Sequence, residues 1–396
     1  MSCIYLDHNA TTPVDPRVLD AMLPYLRERF GNASSKNHPY GWQAKEAVEL
    51  ARQQVASLLG ASVREILFTS GATESNNIAL LGSVAALPGG APREEERTSR
   101  PVHIVSQEIE HPAVLDTLAE LERRGHEVTL LKPDAAGLIT ADQVRAALKE
   151  NTFLVTLMAA NNELGTLAPL TQIGAVCREA GVLFHSDAAQ AVGKIPLDVR
   201  ADGVQLLSLS AHKLYGPKGI GALFLNGRGT RTRVAPLHFG GGQERSIRPG
   251  TLNVPGIVGL GAACALAKEC LEEEGQRLSE LRGHLEDGLR NAIDGVHVNG
   301  SSETCLPGTL SMSFEGVDGT ALLLALPGLA LSSGSACSTD STAPSKVLKA
   351  IGLSDALALA TLRFGLGRHT TRTEVDETMT QVRDAVHRLR ALTAAR

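Results

Sequence analysis

"SLSAHKLYGPKGIGALFL", residues 208–225, carries one apolar β-type run into a His-Lys pair, a Gly-Pro turn and a second β-type run. Burying an unpaired ammonium is costly. Lys213 is therefore either a surface residue beside a turn or a reactive amine. Upstream, short β-type runs alternate with helical patterns: "EILFTS" (65–70), "VHIVS" (102–106), "EVTLL" (127–131), "FLVTLMAA" (153–160), "VLFHSD" (182–187), "GVQLLSLS" (203–210) and "GALFL" (221–225). Between the runs lie helices such as 42–59, where Trp42, Val48, Val55 and Leu59 recur at near-helical spacing before a capping Gly60. This alternation predicts an α/β fold with a mostly parallel sheet covered on both faces, its ligand loops following the strand C-termini.

Near residue 260 the pattern changes. A long helical region, 256–292, leads to the strands "VHVNG", "TLSMSF" and "LALSSG", and a helix over 373–394 carries the apolar stripe Val375, Met379, Val382, Val386 and Leu389. The expected division is a large domain, 17–258, and a smaller α+β domain formed by 1–16 and 259–396. The charged, Pro- and Gly-rich stretch 87–101 reads as a surface insertion.

Composition narrows the function. The chain has 396 residues, a formal net charge of -5 and 43% hydrophobic residues. That is a globular composition with no nucleic-acid footprint. No apolar run approaches the roughly 20 residues of a membrane span. "MSCIYLDHNATTP" has neither the basic nor the apolar region of a secretory signal. The six cysteines show neither C-x-x-C pairs nor zinc-like spacing with histidines, so no metal is expected, and a reducing, cytoplasmic setting follows.

Four motifs carry candidate chemistry. "TSGATESNN" (69–77) follows a strand and opens a helix, so Gly71, Ala72 and Thr73 suit a phosphate. "FHSDAAQAVGK" (184–194) sets Asp187 at a strand end, as a helix cap or as partner to a cationic ring nitrogen. Gln190 follows one helical turn later. Lys213 comes one crossover and strand after Asp187, flanked by Ser210 and His212, both able to donate to a phosphate. An acid at one strand end and an amine at the next fit a cofactor held as a lysine imine. "LSSGSACSTDSTAPS" (331–345) places Cys337 among small polar residues, where a nucleophilic thiol is better suited than a packing one. "TLRFGLGR" (361–368) puts Arg363 inside a β-type run, where it needs a partner such as a carboxylate.

With "YLDHNATTP", "FGNASS", "TSGATESNN", "EHPAVL", "NNELGT", "DAAQAVGK", "SAHKLYGPKG", "GGGQERSIRPGTLN", "SSGSAC" and "LRFGLGR" in order, the chain resembles the pyridoxal-phosphate-dependent cysteine desulfurases of the nitrogen-fixation and iron–sulfur-cluster type. These belong to the aminotransferase class V branch of the fold type I enzymes. The resemblance implies that pyridoxal 5'-phosphate is the cofactor and that Lys213 binds it covalently and later moves the substrate's α-proton. It implies that His111 stacks on the ring as an acid–base group, that Asp187 pairs with the ring nitrogen and that Gln190 contacts the phenolic oxygen. Ala72, Thr73, Ser210 and His212 hold the phosphate, and Thr251 reaches the phosphate of the neighbouring subunit in a homodimer. Asn162, counted with both cofactor and substrate, joins Arg363 on the substrate carboxylate, and Asn32 lines the substrate pocket.

The implied reaction converts L-cysteine to L-alanine. Cys337, on a loop spanning about 332–343, takes the sulfur as a persulfide for an acceptor protein that serves iron–sulfur cluster or other sulfur-containing cofactor biosynthesis. Selenocysteine lyase, acting on L-selenocysteine, and another class V aminotransferase are the alternatives. The polar "STDST" after Cys337 departs from common family versions, and "LRALTAAR" (389–396) ends the chain before the extension through which cluster-assembly members dock a scaffold protein.

Overall fold

The computed structural model describes residues 3–87, 101–227, 232–333 and 343–394. The chain enters through a short strand, β1 (Ile4–Tyr5), and then α1 (Pro16–Arg27), where Asp15 caps the helix by accepting from Arg17 N. Helix α2 (Pro39–Leu59) ends at Gly60, whose φ of 67° is the left-handed cap expected from the sequence. Its inward face is Ala44, Val48, Ala51, Val55 and Leu59. Trp42, expected on that face, is instead exposed, and its indole N–H donates to the Lys36 carbonyl. Small alanines fill the positions where the helix lies close to its neighbour, and an indole does not fit there.

Alternation then runs through β2 (Ile66–Thr69), α3 (Ala72–Ala85), β3 (His103–Gln107), α4 (Pro112–Arg123), β4 (Glu127–Leu131), α5 (Ala141–Ala147), β5 (Thr152–Thr156), α6 (Leu170–Ala180), β6 (Leu183–Asp187), β7 (Leu206–Ser210) and β8 (Gly221–Leu225). Strand β5 stops at Thr156, short of the expected 153–160, and the chain continues as the loop that carries Asn162. The strands form one seven-stranded sheet, in the order β2-β8-β7-β6-β5-β3-β4. All pairings are parallel except those of β8, which is antiparallel to both β2 and β7. The turn in the stretch 208–225 is too short for a helical crossover, so the parallel order breaks there.

Side chains alternate across this sheet with period two. Phe68, Val105, Val155, Phe184, Leu207 and Phe224 face one apolar layer, and Leu67, Ile104, Leu154, Leu206 and Leu223 face the other. Burying a side chain such as Phe68, Phe184 or Phe224 stabilises the sheet by about 1.5–3 kcal/mol.

Helix α7 (Val254–Ala292) follows, 39 residues long. Its first half, through Ala267, belongs to the core below the large sheet, and its second half, Leu278 to Leu289, belongs to a separate core. The division at 258/259 thus falls inside a continuous helix. By length and composition α7 could cross a membrane, but half of that window is buried in the protein, and the helix packs on α1 and α2 as a core element. Then come β9 (Val296–Asn299), β10 (Thr309–Phe314), α8 (Gly319–Leu324), β11 (Leu329–Ala330), β12 (Ser332–Ser333), α9 (Lys346–Ala350), α10 (Asp355–Leu359), β13 (Thr361–Gly365) and α11 (Arg372–Ala394). A four-stranded antiparallel sheet, β12-β13-β10-β9, backs the second core. "LALSSG", expected as one strand, is two: β11 pairs with β1, and β12 pairs with β13.

Candidate active site

Where β2, β6 and β7 end, a cavity of about 580 Å³ opens. That is within the range of about 300–1,000 Å³ typical of small-molecule sites. Ala72, Thr73, His111, Asn162, Asp187, Gln190, Ser210, His212, Lys213 and Arg363 all line it. Its phosphate-like end is built by a close backbone approach. A Cβ on Gly221 would sit 2.7 Å from Gly71 Cα, so glycine at 221 lets the turn before α3 lie against β8. Helix α3 begins on the cavity wall, and the first N–H groups of a helix lack intrahelical acceptors. Ser210 ends β7 beside that turn.

Asp187 ends β6 and is buried. Asn76 Nδ2 donates to its Oδ2 at 2.6 Å, and Ala189 N donates to its Oδ1 at 2.9 Å. Each carboxylate oxygen keeps capacity for a further donor. His111 caps α4, its Nδ1 accepting from Ala113 N at 3.1 Å, so the neutral ring carries its proton on Nε2. Burial lowers the His111 pKa, Lys213 adding repulsion and Asp187 opposing. Burial likewise brings His212 down to about 4, helped by the charges of Lys213, Lys218 and Lys194. Both rings are thereby neutral at physiological pH.

Lys213 closes the short helical turn Ala211–Lys213 after β7. Its Nζ donates to the backbone carbonyls of Asn9 and Ala10, the latter at 2.8 Å. Arg363, on β13, is 4% exposed. Its Nη2 donates to Asp7 Oδ1 at 2.7 Å and its Nη1 to the Asn162 carbonyl at 2.9 Å, while Nε is buried without a partner among the described residues. An orphaned guanidinium N–H is costly to leave unpaired and fits an incoming carboxylate.

Cys337 lies outside the described residues, as do residues 88–100 of the insertion. The chain on either side of 334–342 is fastened to the cavity rim. Ser332 pairs with Arg363 across β12–β13, and its hydroxyl donates to Asp7 at 2.8 Å. Ser345 caps α9 and donates to Glu163 Oε2 at 2.5 Å, one residue from Asn162. Burial pushes the Glu163 carboxyl up to about 7. Neither Thr251 nor Asn32 lines the cavity.

Sequence reasoning missed Asp7, Asn9, Asn76 and Glu110. Asn76 lies inside the 69–77 motif, but that motif reads as a phosphate-binding turn and not as an amide facing Asp187, and Asn9 acts through its backbone carbonyl, which no side-chain pattern reveals. Glu110, next to His111, is fully buried, and burial raises its carboxyl to about 8, with the charge of Asp187 adding. Of the cysteines among the described residues, all are free thiols, and burial raises Cys177 and Cys264 to about 12. Cys3 is exposed near the start of the chain.

Comparison with known proteins agrees with this geometry. The family model for aminotransferase class-V matches residues 4–378. A cysteine desulfurase IscS of Anaeromyxobacter dehalogenans (strain 2CP-C) is 50% identical over 98% of this chain and 94% of its own length. The cysteine desulfurase of Homo sapiens is 48% identical over 98% of this chain and 83% of its own. Among solved structures, a NifS-like protein superposes with a TM-score of 0.87 at 37% identity, covering 98% of this chain and all of that one. SspA in complex with cysteine superposes with a TM-score of 0.80 at 39% identity, covering 93% of this chain and all of that one.

Proposed function

This chain belongs to the aminotransferase class-V family, and we propose that it is a cysteine desulfurase that uses pyridoxal 5'-phosphate to convert L-cysteine into L-alanine. The sulfur passes to Cys337, whose thiol becomes a persulfide as the substrate's C–S bond breaks. One observation carries the reading: the Lys213 amine, the Asp187 carboxylate and the half-paired Arg363 guanidinium all meet in one cavity.

The donor set fits the cofactor. Ala72, Thr73, Ser210 and His212 surround the place for a phosphate, and Asp187 retains acceptor capacity for a protonated ring nitrogen. When bound, pyridoxal phosphate draws electrons from the substrate's Cα, which acidifies the α-proton and loosens the bond to sulfur. Arg363 and Asn162, both on the cavity wall, hold the substrate carboxylate. Lys213 Nζ anchors the cofactor and carries the proton that leaves Cα. His111, neutral and protonated on Nε2, donates within the cavity. Incubation with L-cysteine, pyridoxal phosphate and a thiol reductant is expected to yield alanine and sulfide in equal amounts. A cofactor-loaded protein that makes neither would overturn the proposal, and L-selenocysteine run alongside measures the preference between the two chalcogens.

The acceptor of the persulfide sulfur is a protein thiol serving iron–sulfur cluster or other sulfur-cofactor assembly. The active unit is a homodimer, a reading supported by the apolar side chains left on one chain. Leu26, Phe30, Trp42 and Leu50 are exposed around α1 and α2, and Phe239 is 80% exposed on the segment leading to Thr251. A second copy covering them would bring each Thr251 to its neighbour's site. Sedimentation equilibrium then gives a mass near twice 41.7 kDa; a single-chain mass at micromolar concentration would reject the dimer.

A further inference from the structure

Beneath the cavity, two lysines are joined through an amide and a carbonyl. Lys194 Nζ donates to Gln190 Oε1 at 3.0 Å, Gln190 Nε2 donates to the Asn9 carbonyl at 2.9 Å, and that carbonyl also accepts from Lys213 Nζ. Gln190 lines the cavity, and Lys194 does not. The two ends of a primary amide have nearly the same shape but opposite chemistry, one accepting and one donating. Shape alone therefore leaves open which end faces a ligand. An ammonium can only donate, so it accepts no amide end but the oxygen.

We propose that Lys194 is a positioning residue: by holding Oε1 it turns the NH₂ group of Gln190 toward the cavity, so that Gln190 donates to an anionic oxygen of the cofactor. Lys194 touches neither cofactor nor substrate. The inference rests on the pyridoxal-phosphate reading above.

The groups facing Lys194 make this lock sensitive to protonation. Burial brings its amine down to about 7, Lys213 and Arg363 repel its charge, Glu274 attracts it, and His8 feels it in turn. Below that pH the ammonium enforces one amide orientation. Above it the neutral amine can accept as well as donate, so its hold on Oε1 weakens and the Asn9 carbonyl is left as the group that orients the amide.

Lys194→Met keeps the unbranched stem and removes the donor and the charge. Titration of the cofactor-free protein with pyridoxal 5'-phosphate is expected to give a Kd about tenfold weaker, the size of one charge-assisted hydrogen bond. The pH midpoint of the bound cofactor's absorption band is expected to move by about one unit. Gln190→Ala should produce the same changes, and the double variant should be no worse than Gln190→Ala alone. Lys194→Arg, which keeps a charged donor, should recover part of the affinity. Thermal unfolding of the cofactor-free variants verifies that each is folded. Wild-type values for Lys194→Met, or multiplicative losses in the double variant, would overturn the assignment. A wild-type chain that takes up no pyridoxal phosphate would instead defeat the parent reading.

Discussion

Lys213→Ala is expected to lower alanine production from L-cysteine by about 10⁴-fold or more, the scale of a lost nucleophile that also moves a proton. The geometry gives the reason. Among the described residues two lysines line the cavity, Lys213 and Lys218, and Lys213 closes the short turn that follows β7, next to the strand that ends in Asp187. Its stem is directed inward by the Asn9 and Ala10 carbonyls, which hold Nζ where an incoming aldehyde would meet it. Alanine at 213 removes the covalent attachment point and the proton carrier together. Borohydride reduction followed by peptide mass spectrometry is expected to find cofactor on Lys213 in the wild type and on no lysine in the variant. Retention of more than about 1% of turnover by Lys213→Ala would sink this assignment.

Cys337→Ser is the second large effect. The variant is expected to take up cofactor and L-cysteine as the wild type does, yet to lose alanine production by at least about 100-fold, because a serine hydroxyl is far less nucleophilic than a thiolate. Cys337 lies four residues after Ser333 in the sequence. Ser332 is itself paired with Arg363, the proposed seat of the substrate carboxylate. Mass spectrometry after incubation with L-cysteine should show one added sulfur atom on the wild-type peptide bearing Cys337 and none on the variant. Wild-type alanine release by Cys337→Ser would remove the thiol from the reaction.

Legibility followed the chemistry of each residue. Asp187, Ser210, Lys213 and Arg363 were readable because a charged or polar side chain inside or at the end of an apolar run contradicts its surroundings. The period-two pattern gave the strands, and Gly60 gave the end of α2. What escaped was the support. Asn76 sits on a helix where an amide attracts no notice, and Asn9 binds two side chains through its carbonyl. Lys194 looks like any lysine after a glycine. Trp42 was misplaced because spacing counts hydrophobic residues without measuring the room between helices. Thr251 and Asn32 stand outside the cavity of their own chain; the resemblance assigns Thr251 to the phosphate of a neighbouring subunit.

Helix α7 has a consequence for how the molecule can move. A rod of 39 residues, about 58 Å at 1.5 Å per residue, is embedded at one end beneath the large sheet and at the other behind the small one. No loop interrupts this rod between Ala267 and Leu278, so any movement of one core relative to the other has to bend the helix or carry it along.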